Sequence, residues 1–491
     1  MLRLASLLIA FLSFAILTAD FAEASTQRRR RRARRVTSET TVPQTNARGV
    51  VNSSRFGGAN PCARIQAAID SLGGRGGTVV ADEAGDCGDS TQVRVRGGVT
   101  LRLPPGTFTY SMRGYGGARN MVGALFLLDS DSTLEGSGPQ TVVKESSWVH
   151  TTQTPAEQRR SIANGEHQAT FKVILTYANA VANGSTARNI TVRNLKLAGG
   201  KPDLPGSWNS AGGALDLANC HNCLVENVHM ERTRSIGIHI GGHVTAGQDP
   251  GADLVERGVR QPLGRRAENV TVRNCVFTNV ASQNLALVNG RRITFENNRF
   301  LAPGQKGGPG STAIDVEPNH HLDYAEHVVI RNNFIDARET DKANNGIVVQ
   351  STSLTQHVGP ILIEGNEIIG GNNVPPRITN KIANGIYVFG QTMKDVTIRD
   401  NRVTRTGQAG ISLEGARFTV VNNHFTDVGG GGNPGFFMAR VTDSRIENNT
   451  FTYTGKGPAD SRILMTAGTR NNTFRNNRGF DPPAERPARR P

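Results

Sequence analysis

Along most of its length the chain repeats one eight-residue pattern of apolar and polar positions, clearest in Ile293–Phe300, ITFENNRF. Copies begin at Ile190, Cys223, Val270, Val328, Ile361, Val396, Phe418 and Ser444, and a frayed copy lies near Asn472–Gly479. Positions one and three are nearly always Ile, Val, Leu or Phe with polar residues between, which predicts a short strand rather than a helix. Position eight is apolar again, so the chain turns around positions five and six and starts a second strand. Position six reads Leu195, Val228 and Cys275, then Asn298, Asn333, Asn366, Asn401, Asn423 and Asn449. One amide buried alone is costly. Amides stacked in a column can satisfy one another, so an Asn ladder is predicted that begins partway along the chain.

A third strand follows each window after a loop of varying length: GALDLAN (Gly213–Asn219), GIHIGG (Gly237–Gly242), NLALVNG (Asn284–Gly290) and AIDVEP (Ala313–Pro318). GIVVQS (Gly346–Ser351), GIYVFG (Gly385–Gly390), GISLEG (Gly410–Gly415) and GFFMAR (Gly435–Arg440) continue the series. Windows recur every 22 to 47 residues, the mark of a solenoid whose units bury their apolar faces only against their neighbours. Three short parallel strands per coil with an Asn ladder at one bend resembles the right-handed parallel β-helix of the pectin-lyase-like superfamily. The expected class is therefore all-β, a β-helix domain over residues 60–480.

At the start of that domain Asn60 can cap a helix with Pro61 at its first position. Ile65, Ala68, Ile69 and Leu72 form one apolar stripe, and Gly73-Gly74 ends it. Such a helix suits a plug over the open end of a solenoid. The following IQAAIDSLGGRGGTVV and VTLRLPPGTFTYS resemble the entry of secreted pectate-lyase-like and polygalacturonase-like proteins.

Met1–Ala24 reads as a secretory signal peptide: Arg3, an apolar run from Leu4 to Thr18, and Ala22-Glu23-Ala24 before Ser25. Residues 25–59 read as a disordered Arg-rich linker, and 481–491, DPPAERPARRP, as a disordered tail. The rest offers no apolar run long enough to span a bilayer. A secreted or periplasmic protein is expected, and a monomer. Residues 1–35 carry eight Arg against Asp20 and Glu23, so +6 of the formal +15 belongs to them and the remainder of the chain keeps +9. A basic domain suits an acidic polysaccharide, and no nucleic-acid motif accompanies the charge. Of the five cysteines, Cys62 and Cys87 could pair in an oxidising compartment. Cys220, Cys223 and Cys275 read as buried thiols or a local bridge, since no second pair supplies metal spacing.

Because apolar residues of the third strand face in, alternate positions form an outward column: Asp216, His239, Ala286, Asp315, Val348, Tyr387, Ser412 and Phe437. The next column holds Glu317, Gln350, Phe389 and Glu414. Coils lie about 4.8 Å apart and same-face neighbours about 6.6 Å. Asp315 and Glu317 thus sit side by side, with His239 two coils away and Asp216 beyond it. Carboxyls roughly 6.5–9.5 Å apart suit inverting glycoside hydrolysis. Loops around this column carry Lys201, Trp208, His320, His321, Arg377 and Lys381, which with Tyr387 are candidate substrate contacts.

Three readings follow. In a hydrolase like the polygalacturonases, Asp315 and Glu317 divide acid and base roles while Asp216 and His239 position substrate. No Asn-Thr-Asp, Asp-Asp, Gly-His-Gly or Arg-Ile-Lys motif of that family is present, so its catalytic residues are not carried over. In a lyase or C5-epimerase, His239, His320 or Tyr387 removes the proton beside a uronate carboxyl. Calcium on Asp216, Asp315 and Glu317 is the one cofactor these residues suggest. In the third, the coils bind polysaccharide as a non-catalytic adhesin. Hydrolysis of an acidic polysaccharide is the leading expectation.

Overall fold

A computed structural model describes residues 49–485 apart from 90–91, 114–123, 150–171, 177–185, 200–212, 218–219, 234–235, 242–265, 305–311, 319–322, 341–344, 352–353, 355, 372–383, 431 and 456–458. The signal peptide and nearly all of the Arg-rich linker lie outside these residues. So do Lys201, Trp208, His320, His321, Arg377 and Lys381.

Most windows become two strands, though Thr191–Ala198 and Cys220–Glu231 run unbroken through theirs, and each later stretch gives a third, all paired in parallel with the coils before and after. Ile293, for example, lies between Val270 and Val328, and Phe300 between Phe277 and Ile335. The window strands join one 26-stranded sheet and the third strands a separate 13-stranded one. Side chains at window positions one, three and eight meet in a single continuous core, with Ile293, Phe295 and Phe300 fully buried. Phe277 stacks on Phe300 with ring centroids 4.8 Å apart.

Position five supplies the bend. Asn194, Asn227, Asn274, Asn297, Asn332, Asp400, Asn422, Asn448 and Asn476 all have φ between 53° and 58°, as does Gly365 at 62°. Asn, Asp and Gly tolerate this left-handed conformation best, which explains the narrow choice of residue there.

The predicted ladder is present and complete in its hydrogen bonding. Asn298 Nδ2 donates to Asn333 Oδ1 at 3.1 Å, and Asn333, Asn366 and Asn401 repeat the step at 2.9 Å each. Asn423 and Asn449 continue it at 3.0 Å, ending on Asn477 in the last window. Every Oδ1 also accepts the backbone N–H of the preceding rung, as Asn366 Oδ1 does from Asn333 at 3.0 Å. Each Nδ2 donates to a main-chain carbonyl as well, Ile330 O in the case of Asn366 at 2.9 Å. Where the ladder stops, Leu195, Val228 and Cys275 take the position as core residues. Cys275 keeps its thiol, which burial pushes up to about 12.

Position four carries a pattern missed in the sequence reading. Coil over coil it runs Arg102, Glu135, Arg193, Glu226, Arg273, Glu296, Arg331, Glu364, Arg399. After Val421 come Glu447 and Arg475. Ion pairs close along it, including Arg193–Glu135 at 3.2 Å, Arg273–Glu226 at 2.7 Å and Arg399–Glu364 at 2.9 Å.

The helix spans Pro61–Ser71, and Asn60 Oδ1 accepts the Ala63 N–H at 2.8 Å. Its apolar stripe packs on the strands Gly77–Val80 and Val93–Val95. Cys62 is bonded to Cys87 and Cys220 to Cys223. Two boundaries differ from expectation. Val50–Asn52, inside the stretch read as linker, pairs with Thr78–Val80. Ala484–Glu485, inside the stretch read as tail, pairs with Leu464–Met465. Both ends of a solenoid offer unpaired strand groups, and these segments cover some of them.

Replacing Asn366 by Leu leaves the Asn333 backbone N–H without its side-chain acceptor and takes one partner each from Asn333 Nδ2, the Ile330 carbonyl and Asn401 Oδ1. The expected loss is about 3 kcal/mol or more, read by denaturant melting; a loss below about 1 kcal/mol would show that the ladder does not stabilise the coils.

Candidate functional site

The third strands align as the alternation requires. Asp216 pairs with His239, His239 with Ala286, Ala286 with Asp315, Asp315 with Val348, Val348 with Tyr387, Tyr387 with Ser412, and Ser412 with Phe437. On either side the strand residues are core, for example Ile314 and Val316 around Asp315. The column therefore faces away from the core on one wall. It does not, however, face open solvent: Asp216, His239 and Asp315 are 3%, 6% and 4% exposed. Glu317 and Tyr387 are half-buried.

Burial changes what these groups do. His239 Nδ1 lies 3.3 Å from Asp216 Oδ1, so the carboxylate fixes the ring and its tautomer. With Nδ1–H donated to Asp216, Nε2 is the basic nitrogen of the ring. Two coils on, Gln283 Nε2 donates to Asp315 Oδ2 at 3.2 Å, and Ser282 Oγ donates to Gln283 Oε1 at 2.5 Å. Gln283 was not among the sequence candidates. It lies on a strand flank just outside the alternating stretch, where nothing in the pattern singles it out.

Asp315 is held well above the ordinary carboxylate range, first by burial and then by the neighbouring Glu317 carboxylate; the Gln283 amide works weakly the other way. Asp315 Oδ1 has no hydrogen-bond donor, and the group beside it is another carboxyl. Two facing carboxyls in low dielectric cannot both ionise cheaply. Asp315 is thus a neutral acid well above the pH at which an exposed Asp ionises.

Tyr387 is also shifted upward, by burial first and by Glu414 second. That disfavours the phenolate, so Tyr387 suits a hydrogen-bond donor rather than the base considered in the sequence reading. The suggested calcium triad does not assemble. Three coil steps separate Asp216 from Asp315, about 14 Å of wall, whereas calcium binds oxygen at about 2.3–2.6 Å. Among the described residues no group of three or more His, Cys, Asp or Glu side chains is disposed to hold an ion. No helix among them is long and apolar enough to cross a membrane.

Residues 377–481 match the family described as right handed beta helix region. No curated protein sequence matches the chain. Among solved structures it is similar to the A-module of the Azotobacter vinelandii mannuronan C-5 epimerase AlgE6, with 16% identity, 89% of this chain and 95% of that chain covered, and a TM-score of 0.56. The AlgE4 A-module of the same organism gives 16% identity, 88% and 96% coverage and a TM-score of 0.55. Tailspike protein 3 of bacteriophage CBA120 gives 13% identity, 90% and 64% coverage and a TM-score of 0.50. At these identities the likeness is one of fold. The chain has a right-handed parallel β-helix fold.

The raised Asp315 has a stability consequence of definite sign. Its native state holds a proton the unfolded chain releases near pH 3.8, so the contribution is fully present below that value. It is lost as pH rises through the folded-state value. Asp315→Asn removes the titration and is expected to melt higher than the parent at pH 8, with the advantage shrinking toward pH 4. A melting temperature below the parent's at both pH values would contradict the buried, neutral acid.

Proposed function

We propose that the protein acts on an acidic, uronate-type polysaccharide by proton transfer at the carbon beside the uronate carboxyl, giving epimerisation or β-elimination. The carrying observation is the buried Asp315 carboxyl, held well above the ordinary range by burial and by the Glu317 carboxylate, with one oxygen lacking a donor. A buried neutral carboxylic acid can donate to an oxyanion at neutral pH, where an ordinary Asp would repel it. Proton removal at C5 sends the electron pair into the uronate carboxyl, and that is where an acid such as Asp315 stabilises charge.

The rest of the wall fits these roles. His239, oriented by Asp216, is the base for the C5 proton. Gln283 positions the Asp315 carboxyl. In epimerisation a proton returns to C5 from the opposite face of the ring. In elimination the C4–oxygen bond breaks instead, the electron pair forms the C4–C5 double bond, and the departing oxygen is protonated. The basic balance of the coils suits a polyanion. The epimerase modules above, named for mannuronan, lend support to the substrate class.

Inverting hydrolysis needs room for a water between carboxyls roughly 6.5–9.5 Å apart. Asp216 stands about 14 Å of wall from Asp315, too far to partner it. Asp315 and Glu317, alternate residues of one strand, are the carboxyls that would have to divide the two roles.

Incubation with a panel of uronans tests the proposal. Altered uronate composition at constant chain length marks epimerisation, and new ultraviolet absorbance marks unsaturated ends from elimination. Reducing ends without that absorbance would return the reading to hydrolysis, and binding without product to an adhesin. Asp315→Asn and His239→Ala are each expected to lower turnover by about 100-fold or more while the fold persists. Full activity in both would remove these residues from the site.

A further inference from the structure

We infer that the wall on the C-terminal side of Asp315 continues the binding surface as an aromatic track for further sugar residues of the same polyanion; this rests on the substrate reading above. Beyond Asp315 the outward column reads Val348, Tyr387, Ser412 and Phe437. Val348 separates Asp315 from Tyr387, and Ser412 separates Tyr387 from Phe437, so an aromatic ring stands on every second coil. From Asp315 to Phe437 is four coil steps, roughly 19 Å of wall.

Tyr387 and Phe389, two residues apart on one strand, stack with centroids 5.1 Å apart and planes within 10°. Each is half-buried, as is Phe437. An ordered, partly exposed aromatic is a rigid surface with little entropy left to lose, and the axial C–H face of a pyranose complements its negative face. A charged element lies beside them. Glu414, which follows the Leu413 that pairs with Val388, is 2% exposed and ion-paired with Arg440, whose side chain is 53% exposed. The buried carboxylate anchors the guanidinium at the wall, where its outward donors can meet a uronate carboxylate. Aromatic faces and an anchored cation on neighbouring columns of one wall describe the two sides of a uronate residue. No part of this track takes part in the proton transfer, so its contribution is affinity for longer chains.

The test uses Phe389→Ala and Phe437→Ala in the full chain, with polymannuronate and polygalacturonate as probes and neutral dextran as control. Each substitution is expected to weaken binding of long uronan about five- to tenfold. Turnover of oligomers too short to reach Phe437 should stay at the parental rate in Phe437→Ala, and of those too short to reach Phe389 in Phe389→Ala as well. Phe437→Tyr keeps the ring and should bind like the parent; Phe437→Leu keeps apolar bulk without the aromatic face and replaces the Ala variant if that one melts early. Variants that bind and turn over long uronan like the parent overturn the track while leaving an Asp315-dependent reaction intact. A parent protein that neither binds nor converts any uronan overturns the substrate reading and the track together.

Discussion

Parallel strands stacked in register, one coil upon the next, are the constraint from which the rest of this molecule follows. At about 4.8 Å per coil every side chain lies directly over its counterpart in the neighbouring turns. A residue type must therefore tolerate a copy of itself, or alternate with something that complements it. Apolar side chains tolerate copies without difficulty, which gives the continuous core. Asn does so because its amide is both donor and acceptor, and the column from Asn298 to Asn477 uses each of those capacities. Charges do not, and the position-four column answers by alternating Arg with Glu for nine coils from Arg102 to Arg399. Exposed pairs of this kind each contribute little stability. Their effect is on register, because a slip by one coil would set like charge over like.

The same constraint makes the candidate site unusual within its own wall. Where stacking would favour uniform columns, the third strand places Asp, His, Ala and Asp in succession and then aromatic and aliphatic residues. Asp315 carries the cost: a buried carboxyl beside a second carboxyl, with one oxygen lacking a donor. Local structure that is less stable than it could be is common where chemistry is done. The neutral acid that results is a consequence of burial, and burial comes from the tertiary structure around the column.

Legibility divides along that line. The windows, the bends, the third strands and the ladder were readable because periodicity is a local property and stacking propagates it. The outward column was readable for the same reason, and the pairing from Asp216 to Phe437 follows the alternation residue by residue. Position four was equally readable, since Arg and Glu alternate in successive windows, but the reading attended only to apolar positions and to Asn. Gln283 was not readable. Its approach to Asp315 depends on how one coil's flank leans on the next, and no repeat marks it.

By itself, then, the chain's pattern determined the coil, its register and which side chains share a wall, since those depend on spacing along a strand and on a fixed distance between coils. Exposure was decided only by the tertiary structure: the wall expected to meet water is covered at Asp216, His239 and Asp315. With exposure went the proton affinity of Asp315, on which the proposed reaction rests. These are set by the field and packing of groups far apart in sequence, which no periodicity encodes.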